Sequence, residues 1–451
     1  IDDSLTTPAI EMQDGVDYVP MDWKKIFLIQ FLNIAGLGPI FGAIQGALFG
    51  PAAFLWIVFG TIFAGGVHDY LSGVISMKHD GTSVSEIVGI YLGDGMKKVM
   101  RVFSVILLIL VGTVFVTSPA GLLTSMTGID KNIWVVLIII YYIVATVLPV
   151  DKVIGKIYPI FGASLLFMAI GLAGAMIIGH FNGSMVMPEM TLQNLHPSGL
   201  SIFPFLFTTI ACGALSGFHS TQSPMMARCI NRESESKRVF YGAMVVEGIV
   251  ALIWCAVTIA FFGESGVIQS ALDSFGGQSG VVSHISKELL GPIGAVLAVL
   301  GVVACPITSG DTAFRSARLT IADAFNIKQD GLLSRFKLAI PLFAVCVFLT
   351  TIDFNIIWRY FAWSNQTLAT IFLWTATVYL IKNEANYWIS LIPATFMSSV
   401  CVSYILQAPE GFRLNAMFSN GVGVVAAIVL FVLFMLNKNK FVKNKDSKNI
   451  A

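Results

Sequence analysis

The sequence predicts an all-α polytopic membrane protein, with about twelve transmembrane helices in a five-plus-five inverted repeat and two discontinuous helices. Three observations predict it. Of the 451 residues, 56% are hydrophobic and 12% charged, roughly half the charge of a soluble domain. The apolar stretches run to about 20 residues, enough to cross a bilayer, and mean hydropathy is +0.81. Two of these stretches, five apart in order, are each interrupted by glycines at their centre. No polar segment is long enough for a soluble domain, so a single membrane domain is expected.

Taken in order, residues 1–22 are acidic and polar and read as an exposed cytoplasmic segment; nothing there resembles a cleaved signal peptide. Spans are expected near 24–49, 51–77, 101–124, 132–149 and 154–180, a first five-helix repeat over 23–181. Spans near 201–228, 239–263, 291–314, 337–352 and 364–381 form the inverted second repeat over 200–382. Two additional helices, near 386–407 and 416–436, occupy 383–436, and a basic tail follows over 437–451.

Loop charge sets the orientation. With residue 24 placed inside, 23 of the 27 lysines and arginines fall on the inner side, against Lys131, Lys287, Arg359 and Arg413 outside. Positive residues stay cytoplasmic. Both ends of the chain are therefore expected in the cytoplasm, with the tail disordered and solvated.

The breaks carry the functional argument. Span one holds Ile34-Ala35-Gly36-Leu37-Gly38-Pro39, and span six holds CGALSG at 212–217. Gly and Pro weaken a helix interior, and freed backbone groups at membrane depth are tolerated only beside a cavity or buried polar partners. The two spans enter from opposite sides, as paired discontinuous helices of an inverted repeat would. Thr117-Ser118-Pro119 in span three and Pro306 to Thr312 in span eight correspond in the same way. Half-helices starting near Pro39 and Gly217 would aim two positive dipole ends at one point, which suits a small anion such as a carboxylate.

Other chemistries find no support. Five of the six cysteines lie inside apolar segments and no CxxC spacing occurs, so neither a structural disulfide nor a zinc site is expected. GIYLGDGMKK lacks the strand and lysine pattern of a nucleotide loop. No arginine-rich patch suggests nucleic acid. No nucleophile motif such as GxSxG suggests an enzyme, and no cofactor is expected.

LNIAGLGPIFGAI, GGVHDYLSGVISMKHDGTSVSEI, FPFLFTTIACGALSGFHSTQSP, ACPITSGDTAFRSARLTIAD and IDFNIIWRYFAWSNQTLA resemble the signature stretches of the carbon starvation protein A family, over about residues 15–435. The resemblance implies a bacterial inner-membrane uptake system for pyruvate or small peptides, driven by protons. It also implies the LeuT-like fold of the amino acid–polyamine–organocation superfamily. Many members carry a further span ahead of the acidic segment and a longer C-terminal region.

Ionisable and polar groups within spans mark the candidate site. Ala35, Gly36, Gly38, Pro39, Ile40, Gly213, Ser216, Gly217, His219 and Gln222 are expected to line the substrate site, with a lining role for FHSTQSP implied by the resemblance. His219 can reach the proposed anion site and titrates near neutral pH. Glu247 has no basic residue near it in sequence and reads either as a proton acceptor during transport or as a protonated acid bonding another helix. His68 and Asp69 read either as a structural pair or as a proton relay; neighbours on a helix point about 100° apart, so both cannot face one ligand directly. Asp311, with Thr308, Ser309 and Thr312, forms an oxygen cluster that suits a hard cation or a proton-bearing carboxyl. In sodium-coupled relatives of this fold span eight and the span-one break hold the cation, so the resemblance implies a possible Na+ location at Asp311, Thr308 and Ser309. Pairing of Asp311 with Arg315 or Arg318 is the alternative. Asp353 and Arg359 are expected to pair, and Trp358 and Trp363 to sit at the membrane interface. The partners expected are a small-molecule substrate and membrane lipid. The coupling ion is H+ or Na+; a passive channel explains the paired breaks less well.

Overall fold

The computed structural model describes residues 3–15, 18–146, 150–327 and 331–443, with side chains described throughout except at 150–159, 442 and 443. Lys328 and the tail beyond 443 lie outside the described residues.

A short helix, α1 (Pro8–Glu11), precedes the first span. That span is broken: α2 (Trp23–Ile34) stops, three residues follow, and α3 (Gly38–Gly46) resumes, the two halves bent by 49°. Asp22 caps α2 by accepting from the Lys24 N–H, and Pro39 sits in the first turn of α3, where its missing N–H costs nothing. α4 (Ala52–Gly60) and α5 (Gly66–Met77) join through a π-helical turn at Thr61–Gly65. α6 (Val84–Leu92), α7 (Asp94–Thr127), α8 (Lys131–Ala145) and α9 (Val150–Phe181) complete the first half.

Span six is broken more widely. A π-helical turn, Ile202–Leu206, leads into α10 (Phe207–Thr209), and α11 (Gly217–Ala227) resumes after a non-helical stretch at 210–216. Then come α12 (Gly242–Phe262), α13 (Ser265–Ser274), α14 (Gln278–Ala298), α15 (Cys305–Ala324), α16 (Leu332–Leu349), α17 (Phe354–Lys382), α18 (Trp388–Gln407) and α19 (Ala416–Lys443).

Among the described residues eight helices are long and apolar enough to cross a membrane, nine with the bent pair counted as one span. The sequence predicted about twelve. The remaining expected spans are helical but short, split or rich in polar groups. α8 has 15 residues, span six is divided, and α17 carries Asn355, Ser364, Asn365 and Gln366. The segment between spans seven and eight, expected as loop, holds α13 and most of α14, which turns at Gly291 with φ 60°. Residues 437–443, expected to be disordered tail, continue α19.

The helices pack as two groups. α5 and α11, α3 and α12, and α2 and α12 contact one another, so spans one, two, six and seven form one bundle. α7 packs on α15, α8 and α16, forming a second. α17 leans on both, through α7 and α11. Exposed faces are apolar, as at Phe167 and Ile170 of α9, Phe348 of α16 and Leu433 of α19, which fits contact with lipid acyl chains.

Candidate functional site

The two breaks touch. A Cβ added at Gly38 would lie 2.3 Å from Cys212 Cβ, and one at Gly213 would lie 3.3 Å from Pro39 Cα. Only glycine at 38 lets the two non-helical stretches approach so closely. Thr61, in the π-helical turn of span two, donates to the Gly213 carbonyl at 2.8 Å. Of the residues expected to line a substrate site, Ala35, Gly36, Gly38, Pro39, Ile40, Gly213, Ser216, Gly217, His219 and Gln222 are all buried in this region.

The wider break is held by α17. Asn365 Oδ1 accepts the Phe218 N–H at 2.7 Å and the Ser216 hydroxyl at 3.2 Å. Gln366 Nε2 donates to the carbonyls of Phe207, Ala211 and Leu215 at 3.1–3.3 Å. Two side-chain amides thus replace the helix partners that residues 207–218 lack, which burial at membrane depth demands. The amino end of α11, expected to face an anion, is capped by Asn365. Neither amide was singled out from the sequence. The signal was there, as two adjacent amides in the apolar run WSNQTLA.

Beside the joined breaks lies a buried chain of four ionisable side chains. Asp69 Oδ1 is 2.8 Å from His68 Nδ1, and its Oδ2 is 2.8 Å from His219 Nδ1. His219 Nε2 lies 3.4 Å from Glu247 Oε2. All four are fully buried. His219 Nε2 and both Glu247 oxygens lack a well-formed hydrogen bond. The helices place them: Asp69 comes from α5, His219 is the third residue of α11, and Glu247 faces inward from α12. Cys212 completes the surroundings, its Sγ lying within 4.8 Å of the nearest ligand atoms of His219 and Glu247. A zinc site was not expected from the sequence, where no CxxC spacing occurs; the fold brings three ligand-type side chains together across the break.

The other candidates stand elsewhere or face inward. Ser220 and Thr221 donate to carbonyls of their own helix at 2.7 Å, and Gln222 Nε2 donates to Thr221. In α15 Thr308 donates to Cys305 O and Thr312 to Ser309 O, so their hydroxyls are turned onto their own helix. Asp311 lies 3.4 Å from Arg315, the pairing weighed as the alternative to a cation. Asp353 does not pair with Arg359. It caps α17 by accepting from Asn355, while Arg359 binds Glu410 at 3.0 Å. The loop following α18 supplies that carboxylate, a contact invisible to local spacing. Trp358 is buried rather than interfacial, packed 5.8 Å from Phe41, and Trp363 donates to Cys401 O at 3.1 Å.

A cavity of about 580 Å³ opens on the face where α13 ends and α8, α14 and α17 begin. Its walls carry Lys131, Arg359, Asp273, Asp353 and Gln45, with Thr117, Ser118, Thr208 and Thr209 deeper in the spans. Thr209 is three residues before Cys212, so the cavity reaches towards the joined breaks without including them.

The profile of the family described as carbon starvation protein CstA matches residues 1–127 and 116–296. An uncharacterized membrane protein of Haemophilus influenzae is 44% identical over 59% of this chain and 86% of its own. A peptide transporter CstA of Campylobacter jejuni is 26% identical, with 100% of this chain and 82% of that one covered. Among solved structures, the manganese transporter of Eremococcus coleocola superposes with a TM-score of 0.55 at 13% identity, covering 95% of this chain and 99% of that one. A Na+-coupled sialic acid symporter in an outward-open state gives 0.58 at 13% identity, over 92% and 89%. At such identities the likeness is one of fold, the LeuT-like transporter fold.

Proposed function

This chain belongs to the carbon starvation protein CstA family, and on that footing we propose that it is a secondary transporter importing a small carboxylate such as pyruvate, or a short peptide, together with a proton across the bacterial inner membrane. The observation that carries the reading is the buried His68–Asp69–His219–Glu247 chain beside two touching helix breaks. Four ionisable groups at membrane depth are costly and default to a functional role. Two carboxylates and two imidazoles share a small set of protons, so the set titrates as a unit. Gain or loss of one proton changes its net charge by one unit. Burial makes that change expensive unless a solute or a movement compensates it, which is the requirement for coupling.

The cavity supports the same reading. Lys131 on its wall can meet an incoming carboxylate, Arg359 being already paired with Glu410, and Asp273 and Asp353 can meet the amino end of a peptide. Rocking of the bundle of spans one, two, six and seven against the second would expose the breaks to either side in turn. Sodium coupling is the less favoured reading, because Thr308 and Thr312 bond their own helix and Asp311 sits beside Arg315.

The test is uptake into sealed proteoliposomes. Labelled pyruvate, and separately a labelled dipeptide, are offered with and without an inward proton gradient. Accumulation that collapses with a protonophore is expected for at least one of them. Accumulation that follows Na+ and ignores the protonophore would overturn proton coupling, and equilibration without accumulation would point to a passive channel.

A further inference from the structure

We propose that Cys212, His219 and Glu247 form a binding site for one soft divalent cation of the Zn2+ class, backed by Asp69, and that filling it arrests the transport cycle. The binding claim stands without the transport reading above; the arrest rests on it.

Among the described residues this is the one place where three such ligands converge, each offering an atom within 4.8 Å of the others, and all three are buried. The donor set is a thiol sulfur, an imidazole nitrogen and a carboxylate oxygen, which together suit zinc and its softer neighbours. Zinc bonds of about 2.0–2.3 Å put ligand atoms roughly 3.3–3.8 Å apart in a tetrahedron. His219 Nε2 and Glu247 Oε2 already stand 3.4 Å apart, and the thiol, within 4.8 Å of both, needs to approach by at most about an ångström.

The surroundings are those of a prepared site. His219 Nε2 and both Glu247 oxygens lack a well-formed hydrogen bond; unpartnered buried polar atoms are rare and need a reason. Asp69 holds His219 Nδ1 at 2.8 Å. A carboxylate behind a histidine fixes the tautomer and leaves the other nitrogen's lone pair for a metal. Asn365 Nδ2 donates to Cys212 Sγ at 3.4 Å, a contact that suits a thiolate acceptor. On binding, the Cys212 thiol releases its proton to solvent and ligates as thiolate. Access would come when the breaks part; Thr209, three residues before Cys212 in sequence, lines the cavity. A cation fixed between α11 and α12 would occupy the groups through which the proton is proposed to pass.

The experiment titrates the purified full chain in nanodiscs with Co2+ and reads thiolate-to-cobalt charge transfer in the near ultraviolet together with the visible d–d bands. One ion per chain and a charge-transfer band are expected. Cys212→Ser should abolish the band, whereas Cys255→Ser, another buried cysteine, should leave it unchanged. Asp69→Asn should weaken binding about 10–100-fold while keeping the band. Thermal unfolding of each variant checks its fold, and X-ray absorption of the zinc-loaded wild type should show one sulfur neighbour. No band up to millimolar cobalt, or a band that survives Cys212→Ser, would overturn the site. Zinc that binds with one sulfur neighbour yet leaves solute uptake untouched would overturn the arrest and keep the site.

Discussion

Asp69 reaches from α5 to His219 of α11, its Oδ2 2.8 Å from the ring Nδ1, while its other oxygen holds His68 at the same distance. Neighbouring residues on a helix diverge by about 100°, yet here the His68 ring turns back onto the adjacent carboxylate. Asp69 is therefore the centre of the chain, and everything on either side of it depends on its charge.

Asp69→Asn keeps the shape and removes that charge. Breaking a buried pair costs about 3–5 kcal/mol, so the unfolding midpoint should fall markedly. Gradient-driven uptake should be lost. A variant of wild-type stability with full uptake would remove Asp69 from the mechanism.

Glu247→Gln separates coupling from binding. Accumulation against a gradient should disappear, because the carboxylate can no longer exchange a proton. Exchange of internal for external solute across the same liposomes should persist within a few-fold. Loss of both activities in a well-folded variant would place Glu247 in substrate binding instead.

Asn365→Ala leaves the Phe218 N–H and the Ser216 hydroxyl without their acceptor. An unsatisfied buried group costs about 1–3 kcal/mol. Asn365→Asp keeps the acceptor and loses the donations to Ala211, Cys212 and Ser216, so its unfolding midpoint should lie between the wild type and the alanine variant.

Gly38→Ala places a methyl group 2.3 Å from Cys212 Cβ. Overpacking of this kind costs roughly 1–3 kcal/mol and should push the breaks apart. The double variant Gly38→Ala/Cys212→Gly removes the opposing Cβ. Its stability should exceed the sum of the two single changes, the signature of direct contact.

Glu86 supplies a pH dependence outside the spans. Burial pushes its carboxyl up, but Lys97 at 2.5 Å and Arg101 at 2.6 Å outweigh this and hold it below the ordinary glutamate range. With the folded value the lower one, its stabilisation is present above the unfolded value of about 4.3 and is lost as pH falls through the folded value. Because Glu86 is a third exposed, the effect is small. The difference in unfolding midpoint between wild type and Glu86→Gln should shrink between about pH 6 and pH 3.

The breaks were legible because glycine and proline in an apolar run leave few other readings. His219, Glu247 and Asp69 were each legible as misplaced ionisable groups. Their meeting was not, since it depends on how α5, α11 and α12 are rotated against one another, and no local pattern encodes that. Cys212 gave no signal at all, being one small apolar-like residue among many. Asn365 and Gln366 sat in a quoted stretch, but the tryptophans around them drew the reading towards the membrane surface. Arg359 was assigned the acid nearest in sequence, whereas the chain supplies Glu410 from 51 residues on.

The division of labour between α17 and the charged chain has a mechanical consequence. His68, Asp69, His219 and Glu247 all ride on spans two, six and seven, which pack as one body. If that body tilts, the charged set travels with it as cargo and none of its own bonds need open. Asn365 and Gln366 instead reach into the break from a helix that also leans on the other group. In the proposed rocking motion they would act as the latch, because tilting would have to open these amide hydrogen bonds rather than ion pairs. Load and lock are thus built from different residues.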